Sequence, residues 1–122
     1  MRKLKLVIAL GWTITILISC LTSNQTMSGI GLSFAGYDKF VHIGIYFVLT
    51  LLWLLYYSTT NNFKKIYIYI AITIFCYGVL IEVLQELLTK DRSADLLDVL
   101  ANTFGIILAT FVFFIYNKQK KR

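Results

Sequence analysis

The chain has 122 residues, of which 58% are hydrophobic and only 15% are charged. A globular domain in water has about a quarter of its residues charged, so this composition excludes an ordinary soluble domain. The net charge of +6 does not favour nucleic acid as a partner, because the basic residues flank apolar runs and form no stripe with stacking aromatic side chains. Together with a mean hydropathy of +0.74, these values are typical of a protein that crosses the membrane several times.

Four apolar runs follow one another along the chain, at residues 4–21, 40–57, 66–88 and 96–116. Each is long enough to cross a hydrocarbon core of about 30 Å as a helix. We therefore predict an all-α fold, a four-helix transmembrane bundle formed by a single domain over residues 1–122. These helices use most of the chain, which leaves no room for a soluble catalytic or nucleotide-binding domain.

The first run has an alternative interpretation as a removable signal. Arg2, Lys3 and Lys5 lie at its start, and near its end stands Leu17-Ile18-Ser19-Cys20, which is similar to the cleavage region of a lipoprotein signal. Most signal cores, however, have about 7 to 15 apolar residues, and this run is longer. We therefore predict that helix one is retained.

The distribution of charge predicts how the helices are oriented. Nine of the twelve basic residues flank the N-terminus, the second loop or the C-terminus: Arg2, Lys3, Lys5, Lys64, Lys65, Lys118, Lys120, Lys121 and Arg122. All six acidic residues lie at or near the opposite ends of the helices. Because basic segments stay in the cytoplasm, we predict that both termini are cytoplasmic and that the acidic ends face outward.

Helix two carries polar side chains that the bilayer ought to exclude. Asp38, His42 and Tyr46 recur every four residues and therefore share one face, with Lys39 beside them. Ionisable residues inside a membrane usually face the bundle interior, where they pair with one another or line a wet cavity. This face is therefore a candidate site.

Helices three and four carry polar faces near the same membrane surface. The residues concerned are Glu82, Gln85 and Glu86 on helix three, and Asp95, Asp98, Asn102 and Gly105 on helix four. Because helix three runs opposite to its neighbours, these side chains come to a depth similar to that of His42. We predict one shared cleft that opens outward, with helix one contributing mostly apolar packing.

The polar residues also resemble a known family, the VanZ-like family of small bacterial membrane proteins. The resemblance is carried by Asp38-Lys39-x-x-His42-x-x-x-Tyr46, Glu82-x-x-Gln85 and Arg92-Ser93-x-Asp95-x-x-Asp98-x-x-Ala101-Asn102-x-x-Gly105. It implies a multi-pass protein of the bacterial cytoplasmic membrane, a role near peptidoglycan precursors, and low-level resistance to the glycopeptide teicoplanin. The chain departs from the family in lacking a proline after helix one and in its Lys90-Asp91-Arg92 turn.

We hypothesise that the cleft binds or acts on a cell-envelope component, such as a lipid-linked or peptidyl cell-wall precursor, with membrane lipids as the other partners. Asp98 or Glu82 is the candidate general base, and His42 is its proton partner. The candidate binding residues are Asp38, Lys39, Tyr46, Gln85, Arg92, Asp95 and Asn102. The alternative is a non-catalytic masking or assembly module whose polar cluster only holds the bundle together. The sequence leaves open whether the protein is an enzyme.

No cofactor and no metal are predicted. His42 without a second histidine or a cysteine nearby makes a poor zinc centre. The carboxylates of Glu82, Glu86, Asp95 and Asp98 offer enough oxygens for Mg²⁺ or Ca²⁺, but their spacing matches no known metal loop. A divalent cation therefore remains an open alternative.

Three glycines, Gly44, Gly78 and Gly105, are interpreted as positions where neighbouring helices pack closely.

Overall fold

The structure, a computed structural model, describes residues 1–22, 37–58, 63–88 and 95–120. This part of the chain contains four helices, α1 (Arg2–Thr22), α2 (Tyr37–Tyr57), α3 (Phe63–Leu88) and α4 (Leu96–Lys120). All four are long and apolar enough to cross a membrane. The predicted all-α, four-helix architecture is therefore confirmed.

Threonine hydroxyl groups within the helices bond to the backbone of their own helix, so they need no partner in the lipid. The chain contains no proline that would remove a backbone donor. The Thr50 hydroxyl donates a hydrogen bond to the Tyr46 carbonyl one turn earlier, at 2.7 Å, and Thr103 and Thr110 do the same in α4. These hydroxyl groups therefore need no water inside the membrane.

One end of the bundle, called the polar end below, is defined by contacts near the starts of α2 and α4 and the last turns of α1 and α3. Lys39 of α2 forms ion pairs with Asp95 and Asp98 at the start of α4. Gln85, near the end of α3, donates a hydrogen bond to the carbonyl oxygen of Cys20, near the end of α1, at 2.9 Å. Each helix therefore runs antiparallel to the next one in the chain.

The first turns of α1 and the last turns of α4 lie at the opposite end, which we call the basic end. Lys5 Nζ, in the first turns of α1, donates to the carbonyl oxygen of Leu55, near the end of α2, at 3.3 Å. At the same end, Asn117 of α4 donates to the hydroxyl of Tyr67 in α3, at 3.0 Å. The start of α1 and the last turns of α4 therefore lie at the same end of the bundle.

The most extensive helix contact joins α2 to α4, and Gly105 makes it possible. A Cβ atom at Gly105 would lie 3.1 Å from the backbone nitrogen of Phe47 and closer still to the carbonyl oxygen of Ile43. A Cβ at Gly78 would lie 3.1 Å from the Tyr46 ring. Close packing is therefore confirmed at Gly78 and Gly105. It is wrong for Gly44, where a Cβ would meet nothing within 4 Å.

Helix α1 contributes more than the apolar packing predicted for it. The indole of Trp12 donates to the carbonyl oxygen of Ile45 in α2 at 3.3 Å, and the indole of Trp53 donates to the Thr13 hydroxyl at 3.2 Å. The hydroxyl of Tyr77 in α3 donates to the Thr13 carbonyl oxygen at 2.6 Å. Aromatic donors on α1, α2 and α3 therefore fix α1 in the bundle.

The burial pattern is that of a membrane bundle. Large apolar side chains such as Ile14, Ile72 and Phe111 are exposed on the outside of the helices. Six polar or charged side chains are buried among the described residues: His42, Thr50, Glu82, Gln85, Asp98 and Asn102. Most of them are the residues that the sequence singled out as a candidate site.

Candidate functional site

Lys39 is held between two carboxylates at the polar end. Its ammonium donates to Asp95 Oδ2 at 2.6 Å and also to Asp98 Oδ1. Lys39 lies in the first turn of α2, and Asp98 lies in the first turn of α4, so the ion pairs join the starts of these two helices. The ammonium of Lys39, a candidate binding residue in the sequence, is thus already engaged with acidic side chains of the protein.

Asp95 lies immediately before α4 and caps it. Its Oδ1 accepts a hydrogen bond from the backbone N–H of Leu97 at 2.8 Å, which satisfies one of the donors that a helix start leaves open. The hydrogen bond from Lys39, followed by that from Leu97, holds the pKa of the Asp95 carboxyl below its usual value. Asp95 therefore favours its charged form at the polar end.

The imidazole of His42 is fixed by Asn102. His42 Nδ1 lies 3.0 Å from Asn102 Oδ1, and both side chains are buried. An amide oxygen can only accept a hydrogen bond, so Nδ1 carries the hydrogen and donates it. The Asn102 contact therefore sets the orientation of the ring and directs Nε2 to the other side.

Nε2 of His42 faces two carboxylates. It lies 3.9 Å from Asp38 Oδ1 and 3.9 Å from Asp98 Oδ2, which is beyond hydrogen-bond distance. One ligand atom from each of the three residues lies within 4.8 Å of the others, which makes them a group that could hold a metal ion. We call Asp38, Lys39, His42, Asp95, Asp98 and Asn102 the polar cluster.

A second group of polar atoms adjoins the polar cluster, over Gly78 of α3. A Cβ at Gly78 would lie 3.3 Å from the Tyr46 hydroxyl and 3.4 Å from Asn102 Nδ2. Both of these buried atoms lack a hydrogen-bond partner among the residues that the structure describes. Glu82, one turn from Gly78, is also buried and is near enough to Tyr46 to interact with it electrostatically.

The candidate residues from the sequence thus have different places in the structure. The polar cluster holds six of them, and Tyr46 and Glu82 lie next to it. Gln85 ties α3 to the Cys20 carbonyl of α1. Arg92 lies outside the described residues.

Sequence reasoning missed the helix cap at Asp95, and it placed Asp38 and His42 on one face without treating them as a pair of possible ligands, although a signal for each was present. An aspartate directly before an apolar helical run, as at Asp95, is a common helix cap. Asp38 and His42 have the i, i+4 spacing with which a helix presents two ligands on one face. Gln85 donates to a backbone carbonyl oxygen, and the sequence does not reveal which backbone carbonyl lies within reach of a side chain.

A separate cavity of about 410 Å³ lies between α1, α2 and α3. Its lining is largely apolar and aromatic and includes Leu49, Trp53, Ile70 and Tyr77. It contains none of the polar cluster, so the chemistry at the polar end does not depend on it.

The comparison with known families decides the classification. The VanZ/LLP1 family matches residues 2–117, which include nearly the whole of all four helices. The chain belongs to the VanZ/LLP1 family. No curated protein matches the chain, and no solved structure matches it either. As a VanZ/LLP1 protein with four helices able to span the bilayer, it is a multi-pass membrane protein, and the resemblance seen in its polar residues is confirmed.

Proposed function

We propose that the polar end of this VanZ/LLP1 protein binds or acts on a cell-envelope component at the outer face of the bacterial cytoplasmic membrane. The observation that carries the proposal is the continuity of the polar cluster from the surface inward. Asp38 and Asp95 are half-exposed, whereas His42 and Asp98 beside them are buried. A ligand at the membrane surface would therefore reach a carboxylate and an imidazole with little water around them.

The outward orientation rests on charge. The basic end carries Lys5, Lys65 and Lys118, while the polar end carries the acidic residues that the structure describes. Segments rich in lysine and arginine stay in the cytoplasm, so the polar end is proposed to face outward.

The class of ligand follows from the surroundings of the polar cluster. Apolar side chains such as Phe40 and Leu96 are exposed beside it. An amphiphile whose chain lies in the lipid next to the bundle would present its headgroup at this depth. A lipid-linked or peptidyl cell-wall precursor has this character.

The roles of the residues follow from their contacts. Asp98 keeps one oxygen on Lys39 and turns the other towards His42, so it is the proposed hydrogen-bond acceptor or general base. His42, oriented by Asn102, is the proposed proton partner. Lys39 would hold Asp98 and Asp95 in place. Arg92, a candidate binding residue from the sequence, is proposed to bind an anionic part of the ligand.

A second candidate role is purely structural. The ion pairs of Lys39 and the hydrogen bond between His42 and Asn102 all join α2 to α4, the helices with the most extensive contact. A module that masks an envelope target, or assists assembly, could use the polar cluster only to hold this pair together. In that case the charge of Asp98 would have no role in ligand binding.

Binding and turnover of a lipid-linked cell-wall precursor by purified protein in lipid nanodiscs would test the proposal. Asp98→Asn preserves the shape of the side chain and removes its charge, and we expect it to weaken binding by about tenfold or more, the size of one hydrogen bond to a charged group. Glu86→Gln is the matched control, because Glu86 is an exposed carboxylate on α3 at the same end.

Three outcomes separate the candidates. Loss of binding in Asp98→Asn with normal binding in Glu86→Gln supports a ligand site. Turnover in addition to binding would make the protein an enzyme. Binding without turnover would make it a protein that only binds its envelope ligand. Equal binding by the wild type and both variants would contradict the proposed role of the polar cluster.

A further inference from the structure

The buried imidazole of His42 presents one nitrogen as a ligand. Because Nδ1 donates to Asn102 Oδ1 at 3.0 Å, the lone pair of a neutral ring is on Nε2. Histidines that bind metals are typically held in this way, with the other ring nitrogen donating to an oxygen that fixes the tautomer and the ring orientation. Nε2 then points at Asp38 Oδ1 and Asp98 Oδ2.

We propose that Asp38, His42 and Asp98 form a binding site for one divalent transition-metal cation, such as Zn²⁺ or Mn²⁺. This site goes beyond the envelope function proposed above, because cation binding requires no envelope ligand. Helix α2 supplies two of the three ligands one turn apart, and the first turn of α4 supplies the third.

The distances suit an ion better than a direct contact. Nε2 lies 3.9 Å from each of the two carboxylate oxygens, which is too far for an N–H···O hydrogen bond. An ion about 2.0–2.1 Å from nitrogen and about 2.0–2.2 Å from oxygen can span such a gap, since the two bonds together exceed it. All three ligand atoms lie within 4.8 Å of one another, so one ion can reach them after small adjustments.

The charge of the polar cluster also favours a cation. Asp38, Asp95 and Asp98 bring three carboxylates, and Lys39 brings one ammonium. The ammonium takes Asp98 Oδ1 and leaves Oδ2 facing His42, so it orients the carboxylate without occupying the proposed ligand atom. A divalent ion at the site would bring further positive charge to a cluster in which carboxylates outnumber the ammonium.

The ligand types select the kind of cation. A single histidine makes a poor zinc centre by itself, but here two carboxylates complete the ligand set. Imidazole nitrogen suits Zn²⁺, carboxylate oxygen suits Mn²⁺ and also binds Zn²⁺, and Mg²⁺ and Ca²⁺ prefer oxygen ligands alone. Three protein ligands leave at least one coordination position open, as in catalytic zinc sites. Water, or a phosphate or carboxylate oxygen of a bound molecule, would take that position.

The test measures cation binding to the purified full-length chain in detergent, without a histidine tag and after treatment with a chelator. Isothermal titration with Zn²⁺, Mn²⁺ and Mg²⁺, together with the content of bound metal after dialysis, gives affinity and stoichiometry. We expect one Zn²⁺ or Mn²⁺ per chain and much weaker binding of Mg²⁺. Thermal unfolding gives a second readout, because a cation that binds only the folded protein raises Tm.

Variants distinguish ligands from nearby charges. His42→Gln, Asp38→Asn and Asp98→Asn each remove a ligand, and we expect each to weaken Zn²⁺ binding by about tenfold or more, as loss of even a supporting group does in known sites. Glu86→Gln is the matched control, because it removes one exposed carboxylate at the polar end without removing a ligand. It should retain most of the affinity and the Zn²⁺-dependent rise in Tm.

Asp38 is half-exposed, so Asp38→Asn keeps the test valid if a variant at a buried position fails to fold. Binding of much less than one ion per chain would overturn the proposal. Equal losses of affinity in Glu86→Gln and Asp98→Asn would also overturn it, because attraction to general negative charge would then account for the binding. Unchanged binding in His42→Gln would do the same.

Discussion

Asp95 serves two partners at once, and both favour its charged form. One carboxylate oxygen accepts from the backbone N–H of Leu97 and so caps α4, while the other accepts from Lys39. These contacts lower the pKa of Asp95, with the Lys39 hydrogen bond as the larger cause. A single residue thereby couples the start of a helix to the ion pairs of the polar cluster.

The lowered pKa predicts a dependence of stability on pH. A group whose pKa is lower in the folded protein stabilises the fold fully above its unfolded pKa, about 3.9 for aspartate, and the effect is lost as the pH falls through the folded value. We therefore expect Asp95→Asn to lower Tm near neutral pH and to differ less from the wild type in acid. Thermal unfolding of both proteins in detergent, from about pH 3 to 7, checks this. A difference in Tm that stays constant over this range would contradict the assignment.

The sequence could predict which residues share a face but not which partners they meet. The spacing of Asp38 and His42, and of Asp98 and Asn102, follows from the helical repeat alone. Pairing across helices depends on how far α4 is shifted along α2, and helical spacing carries no information about that shift. The placement of Lys39 between Asp95 and Asp98 therefore required the structure.

At the scale of helices, the contact between α2 and α4 determines how the polar cluster is assembled. Gly105 lets the backbone of α4 approach that of α2 at Ile43 and Phe47. The same face of α4 carries Asn102 one turn earlier and Asp98 two turns earlier. A wider separation at Gly105 would also separate Asn102 from His42.

We predict that Gly105→Ala destabilises the bundle by about 1–3 kcal/mol, the usual cost of adding a methyl group to a well-packed contact. Its Cβ would press on backbone atoms of α2, which cannot move aside as a flexible side chain can. Gly44→Ala is the matched control, because a Cβ there meets nothing within 4 Å. Thermal unfolding in the same detergent compares the two variants. A Gly105→Ala protein as stable as Gly44→Ala would show that the helices are farther apart than described.

The extents of the helices were largely predictable from hydropathy, with errors at the ends. The third helix was predicted over residues 66–88 and extends over Phe63–Leu88, and the fourth was predicted to end at residue 116 and ends at Lys120. Hydropathy detects the segment that matches the hydrocarbon core. Lysine is a good helix former, so a helix continues into the basic end beyond that segment.

At the scale of the whole molecule, the charges divide between the two ends of the bundle. Asp38, Asp95 and Asp98 lie at the polar end, and Lys5 of α1, Lys65 of α3 and Lys118 of α4 lie at the basic end. The start of α1 and the end of α4 share one end, and each helix runs antiparallel to the next. The direction in which one helix crosses the membrane therefore fixes the direction of the other three. The positive-inside rule then predicts cytoplasmic termini.

Reporter fusions at each terminus check this orientation. We expect a fluorescent protein fused to either end to fold and fluoresce, and alkaline phosphatase fused to either end to be inactive, because that enzyme needs the oxidising exterior for its disulfides. A phosphatase fusion after α1 supplies the opposite control. Active phosphatase at either natural terminus would invert the topology and turn the polar cluster towards the cytoplasm.

The central claim is that the charge of the polar cluster has a function beyond holding the helices together, and Asp98→Asn tests it most directly. The measurement is teicoplanin susceptibility of bacteria that produce the wild type, Asp98→Asn or Asp98→Leu, with the amount of membrane-inserted protein determined in parallel. We predict that the wild type lowers teicoplanin susceptibility, as the family resemblance implies. Asp98→Asn retains hydrogen bonding and shape, so it should reach normal protein levels without giving this protection, whereas Asp98→Leu should also reduce the protein level. Full protection by Asp98→Asn at normal protein levels would contradict the account and favour a purely structural cluster.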